Sequence, residues 1–201
     1  PVVFGSVPDG FTLSRDPSLQ WTLGPPTRDA PNVPALLDSP RTLAINEWLP
    51  RPDIALGDDY IELLNPSSLA IDLGGLGISD DPDQPSRFSF PPRTYLSPGS
   101  FLVIEGDELG FGISELEPII LSGPGGEVFA RAEINSAIAD IAYGLLPDGQ
   151  GDLVALHLPT PGHPNAERSG IVALPEIELV GEGHVWRYLD DGRRPDSQDW
   201  R

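Results

Sequence analysis

Twenty-four prolines and 22 glycines fall among the 201 residues of this chain, with no collagen period. Proline fixes φ and removes a backbone donor, and glycine costs extra entropy inside regular elements. A chain punctuated this often cannot sustain long helices; short strands joined by many turns remain open to it. Hydrophobic residues make up 39%, enough to build a core despite a formal net charge of −19. The length fits one large domain, or one ordinary domain with appendages.

Absences narrow the chemistry further. All 12 basic residues are Arg, so a Walker loop, a pyridoxal Schiff base and a lysine general base are excluded. There is no Cys, which removes thiol catalysis, cysteine zinc sites and disulfides. The acidic excess argues against nucleic acid, because cations that neutralise phosphates supply most non-specific affinity. No apolar run approaches the ~18 residues of a membrane helix; Phe101 to Ile104 typifies the longest. The start at Pro1 and the lack of Met read as a segment of a longer protein, with any signal peptide outside it.

Two blocks recur in the same order. Phe4-Gly5-Ser6-Val7-Pro8-Asp9-Gly10 matches Tyr143-Gly144-Leu145-Leu146-Pro147-Asp148-Gly149, and Pro26-Thr27-Arg28-Asp29-Ala30-Pro31-Asn32 matches Pro159-Thr160-Pro161-Gly162-His163-Pro164-Asn165. Residues 1–35 therefore read as the closing fragment of one module, residues 41–165 as a complete copy, and 166–201 as a linker with the start of a following β-rich module. Within the copy, strands are predicted at Leu43–Trp48, Tyr60–Asn65, Leu69–Ile78 (bent at its glycines), Arg87–Phe90, Phe101–Glu105, Ile119–Ser122, Val128–Ile134 and Val154–His157. Pro98-Gly99 and Pro124-Gly125 mark turns. Ala130–Ala142 reads as strand, loop, strand. Glu176–Val180 and Val185–Leu189 read as two further strands. This spacing indicates an all-β sandwich. Alternation puts Ile61 and Leu63 on its buried face, opposite Tyr60, Glu62 and Leu64.

The central segment resembles the lamin tail domain, an immunoglobulin-like module. The resemblance is carried by Ile45-Asn46-Glu47, Asp59-Tyr60-Ile61-Glu62-Leu63-Leu64-Asn65-Pro66, Ile71-Asp72-Leu73-Gly74-Gly75 and Ile78-Ser79-Asp80-Asp81. Phe88-Ser89-Phe90-Pro91, Leu96-Ser97-Pro98-Gly99, Tyr143-Gly144 through Pro147-Asp148-Gly149, and Pro159-Thr160-Pro161-Gly162 with Asn165 complete it. Leu76 departs from the pattern by standing where an aromatic is common. The resemblance implies an immunoglobulin-like antiparallel β-sandwich of seven to nine strands, with a structural or interaction role and no shared catalytic residues. The lamin tail modules of bacterial multidomain proteins place it in an extracellular or cell-envelope protein, and Trp186–Gly192 resembles the opening of a module that follows them.

Among candidate sites, Asp80, Asp81 and Asp83 offer three carboxylates in four residues to calcium, a hard cation that favours oxygen ligands. The same residues build turns for conformational reasons alone. Asp58-Asp59 reads as a solvated hairpin loop. Glu47 and Glu62 lie on neighbouring strands and could face each other as an acid–base pair, but glutamates on the outward face of a sheet are expected to be solvated. His157, His163 and His184 read as solvent-exposed, and Trp48, Tyr60, Phe88, Phe90, Phe101, Phe111 and Phe129 as core. No Gly-x-Ser-x-Gly elbow or His-Glu-x-x-His is present. The expectation is a non-catalytic spacer, adhesion or docking module, with a calcium- or glycan-binding accessory domain of a secreted hydrolase as the alternative. Its partners are then neighbouring domains or other proteins. The N-terminal fragment, which would otherwise expose strand edges, is expected to pair with the central domain or another copy.

Overall fold

The structure, a computed structural model, describes residues 2–50, 58–114, 117–133, 141–156 and 158–166. In chain order the strands are β1 (Thr12–Arg15), β2 (Trp21–Gly24), β3 (Leu37–Asp38), β4 (Ala44–Leu49), β5 (Tyr60–Leu64), β6 (Ala70–Asp72), β7 (Gly77–Ser79), β8 (Phe88–Ser89), β9 (Tyr95–Leu96), β10 (Phe101–Glu105), β11 (Ile119–Ser122), β12 (Val128–Ala132), β13 (Ala142–Leu146) and β14 (Asp152–Leu156). A single helical turn, α1 (Gly106–Leu109), follows β10 and stops at Gly110, which supplies the left-handed φ of 73°. Leu69–Ile78 divides into β6 and β7, and the bend between them uses Gly75 at φ 81°. The expected strands Glu176–Val180 and Val185–Leu189, and the ends of two others at Ile134 and His157, lie outside the described residues.

One layer is the antiparallel sheet β10-β5-β4-β13-β14. The other is built from β12-β11-β7-β8 and from β3-β6-β9, where β3 runs parallel to β6. Between the layers lies one apolar cluster. Ile45, Trp48, Ile61, Leu63, Ile104 and Tyr143 from the first layer meet Ile71, Ile78, Leu96, Ile119 and Leu121 from the second. Leu76 packs there as well. Each fully buried side chain of this size contributes roughly 1.5–3 kcal/mol, so this interior holds the layers together. The immunoglobulin-like all-β sandwich is thus observed.

The expected inward pair, Ile61 and Leu63, is fully buried in this core. The outward residues Tyr60, Glu62 and Leu64 are buried too, at 5%, 0% and 6% exposure, which alternation did not foresee. Their face carries a second, smaller cluster of Leu49, Tyr60, Ala142 and Leu156.

A bulge decides which way Glu47 points. β4 pairs Ile45 with Leu63 and Glu47 with Glu62, leaving Asn46 as the extra residue. Strict alternation from Ile45 would turn Glu47 into the core. The bulge resets the phase, so that Ile45 and Trp48 both face inward while Asn46 and Glu47 face outward.

Residues 2–35 do not hang free. The N–H of Gly5 donates to Arg93 O, that of Tyr95 to Ser6 O, and that of Ala35 to Leu23 O. Leu23 is wholly buried with Ala70 and Tyr95 of the sandwich, packed by Val7, Phe11 and Leu13. The described residues all belong to one unit, Pro1–Glu167.

Candidate functional site

Four buried polar residues, Asn46, Glu47, Glu62 and Asn165, gather on the outer face of the five-stranded sheet. Glu47 and Glu62 stand directly opposite in the β4–β5 register, and both side chains are fully buried. The solvated outward face expected for them is therefore corrected. What covers it is the chain after β14.

That covering segment is fixed bond by bond. The Thr160 N–H donates to Glu47 Oε1 at 2.8 Å, and the Thr160 hydroxyl donates to Glu47 Oε2. The Gly162 N–H donates to Glu62 Oε2 at 2.6 Å. Asn165 Nδ2 reaches the backbone oxygens of Asn46 and Leu145 at 3.1 and 3.0 Å. Asn46 ties the sheet side together: its Nδ2 donates to Glu62 Oε1 and Asp148 Oδ1, and its Oδ1 accepts from the Gly149 N–H. Asp148 also accepts the Asn165 N–H at 3.0 Å, and the Tyr60 hydroxyl donates to Glu47. Every buried side-chain polar atom among the described residues has a partner. Residues 159–165 thus form a lock clasped onto two strands far away in sequence.

Local sequence explains how the lock can close. Gly162 has φ 77°, a left-handed conformation that glycine reaches without strain and that aims its N–H at Glu62. A Cβ on Gly144 would lie 2.6 Å from Asn165 Nδ2 and 2.9 Å from Asn46 O, so only glycine in β13 admits the Asn165 amide.

The electrostatics are costly and only partly offset. Burial is the main force that pushes the Glu62 carboxyl up to about 7; the charges of Glu47 and Asp148 add to it, while the Asn46 amide and the Gly162 N–H oppose it. Burial and the bond to Glu47 push the Tyr60 phenol well up as well, keeping it a neutral donor. The arrangement can hold a proton or a loop. Its donors and acceptors are occupied with one another, so no group is poised toward a reacting molecule.

The acidic loop sits elsewhere. Asp80, 6% exposed, pairs with Arg87 at 2.5 Å, and that guanidinium lies 4.7 Å from the Phe111 ring centroid. Asp81 accepts the Asp83 N–H and Gln84 Nε2, which hold its carboxyl below the usual range. Asp83 is exposed. The loop is therefore organised as a turn closed by an ion pair. Asp59 accepts the Ile113 N–H at 2.6 Å, while Asp58 is exposed. No group of three or more His, Asp or Glu side chains able to hold a metal gathers among the described residues. His163 is exposed on the lock; His157 and His184 lie outside the described residues. Of the aromatic residues, Trp48, Phe90 and Phe111 are buried in the core, which Phe88 and Phe129 flank; Phe101 is half-buried, and Tyr60 belongs to the outer face.

Sequence reasoning missed the lock as a unit. Its components were visible as polar residues inside apolar strands (Asn46, Glu47, Glu62) and as the repeated Thr-to-Asn spacing of Thr160 and Asn165. No curated protein and no solved structure matches the chain. The lamin tail domain, a non-catalytic immunoglobulin-like family, matches residues 38–159, more than half of the sequence, a span that includes Asn46, Glu47, Glu62 and Asp148. The chain belongs to the lamin tail domain family.

Proposed function

We propose that this chain is a structural docking module of a larger bacterial extracellular or cell-envelope protein, in which it spaces and joins neighbouring domains or other proteins. Residues 1–35 are read as the closing portion of a second lamin-tail-like module, so that the chain comes from a tandem array. The observation that carries the reading is the lock. The polar side chains that in an enzyme would converge on an open cleft are here bonded to one another and to the covering segment, with Asn46, Glu47 and Glu62 fully buried. Such an arrangement fixes a fold and leaves recognition to faces and strand edges. The family is of a protein-interaction type, and among the described residues no helix is long and apolar enough to cross a membrane.

The reading is tested by ligand-dependent melting together with a glycan array. A spacer or docking module shows an unchanged Tm in millimolar calcium and retains no glycan. A specific site for calcium at Asp80, Asp81 and Asp83 raises Tm by mass action, and that rise, or retention of a glycan, moves the chain to the accessory-binding class.

A further inference from the structure

The two copies of the repeated motif share more than sequence. In the lock, the Thr160 hydroxyl contacts Asn165 Oδ1 at 3.0 Å, the His163 N–H donates to Thr160 O at 2.9 Å, and Gly162 has φ 77°. In the N-terminal copy, the Thr27 hydroxyl donates to Asn32 Oδ1 at 2.8 Å, the Ala30 N–H donates to Thr27 O at 3.3 Å, and Asp29, aligned with Gly162, has φ 59°. Each asparagine then uses its Nδ2 to grip a backbone oxygen, Leu145 O in one case and Arg15 O in the other. Positive φ recurs at the aligned position, and in the N-terminal copy it falls on a non-glycine residue, where it is uncommon, which marks one turn built twice.

The copies differ in what they hold. The Thr160 and Gly162 N–H groups each bond a buried glutamate. The corresponding Thr27 and Asp29 N–H groups have no acceptor among the described residues, and most of residues 25–32 are exposed. Where the lock has Pro161, this turn has Arg28, whose guanidinium lies 3.6 Å from Asp29 Oδ2. Both side chains are more than nine-tenths exposed, so the pair sets a solvated cation beside the two donors.

We infer that residues 26–32 form a second lock, shaped to clasp a pair of cross-strand glutamates on another lamin-tail sandwich, with the Thr27 and Asp29 N–H groups taking the parts of Thr160 and Gly162. The inference rests on reading residues 1–35 as the closing portion of a second module. The partner is defined by its chemistry: a lamin-tail sandwich in which two adjacent strands carry opposed glutamates on an outer face open to residues 26–32.

Two experiments on the full chain separate the inference from the reading beneath it. First, Pro161→Arg/Gly162→Asp/His163→Ala converts the working lock into the N-terminal turn. The expected result is hydrogen-exchange protection of the amides at 160 and 162 within about tenfold of the parent. Exchange at the rate of an open loop overturns both the equivalence of the two turns and the inference. Second, isotope-labelled parent chain is mixed with an unlabelled acceptor whose own lock is unseated by Thr160→Val/Gly162→Pro. Protection of the Thr27 and Asp29 amides is expected to rise at least about tenfold, and not to rise when the labelled chain carries Thr27→Val/Asn32→Ala. No rise with a folded acceptor overturns the inference and leaves the second-module reading standing. Circular dichroism checks the acceptor's fold; if the double variant is unfolded, Gly162→Pro alone, which removes the N–H bonded to Glu62 and cannot adopt the φ of 77°, serves as acceptor under the same criterion.

Discussion

The two faces of the β4–β5 ribbon are equally dry and differently made. Inward, Ile45, Trp48, Ile61 and Leu63 meet other hydrocarbon, and burial itself is the stabilising force. Outward, Glu47 and Glu62 are just as buried, yet each would destabilise the fold if left alone, because a desolvated carboxylate is unfavourable without partners. The first face needs only volume and shape. The second needs a particular set of donors from residues 160–165, and its stability is conditional on that segment staying down. A sandwich built this way has a core that tolerates modest repacking and an outer seam that does not tolerate the loss of one partner.

Substitutions turn that contrast into ranked expectations. The largest loss belongs to the inner face: Trp48→Ala removes a side chain 2% exposed and should cost about 3–5 kcal/mol in denaturant unfolding. On the outer face, Glu47→Ala strips acceptors from the Thr160 N–H, the Thr160 hydroxyl and the Tyr60 hydroxyl at once, and about 2–4 kcal/mol is expected. A loss near zero in the same assay would mean that water reaches these donors and that the outer face is not sealed.

The faces should also part company in their pH response. The folded-state value of Glu62 is raised from 4.5 to about 7, so the folded chain holds this proton more tightly than the unfolded chain does. Its stabilising contribution is complete below about 4.5 and is lost as pH rises through about 7. The unfolding free energy should accordingly fall by up to roughly 3 kcal/mol across that interval, and Glu62→Gln should flatten the slope. Trp48→Ala should lower the whole curve without changing its shape. Smallest of the four, Gly144→Ala forces Asn165 aside and should cost about 1–2 kcal/mol, read in Tm, with faster amide exchange confined to the lock.

Much of the inner face could be read from the chain, because it depends on local pattern. Phe101–Glu105 and Ile119–Ser122 are apolar runs between turn residues, and both are strands with those bounds. Ile61 and Leu63 follow from two-residue periodicity. The outer face could not be read in the same way. Glu47 points outward because a one-residue bulge at Asn46 shifts the phase, and periodicity has no means of announcing an inserted residue. Its burial comes from Thr160, 113 residues downstream, so no local window holds both partners. The two-residue strands β3, β8 and β9 are likewise set by their neighbours more than by their own propensity. The repeated Thr-to-Asn spacing was legible, but its meaning needed the geometry of both turns.

The sealed outer seam is most directly tested by hydrogen exchange at the Thr160 and Gly162 amides under native conditions. Closure of residues 159–165 onto Glu47 and Glu62 predicts exchange slowed by roughly a thousandfold relative to an unstructured peptide, with Glu47→Ala abolishing that protection while the amides of Ile61 and Leu63 remain slow. Free exchange at both amides in the parent chain, with the strands still protected, would contradict it.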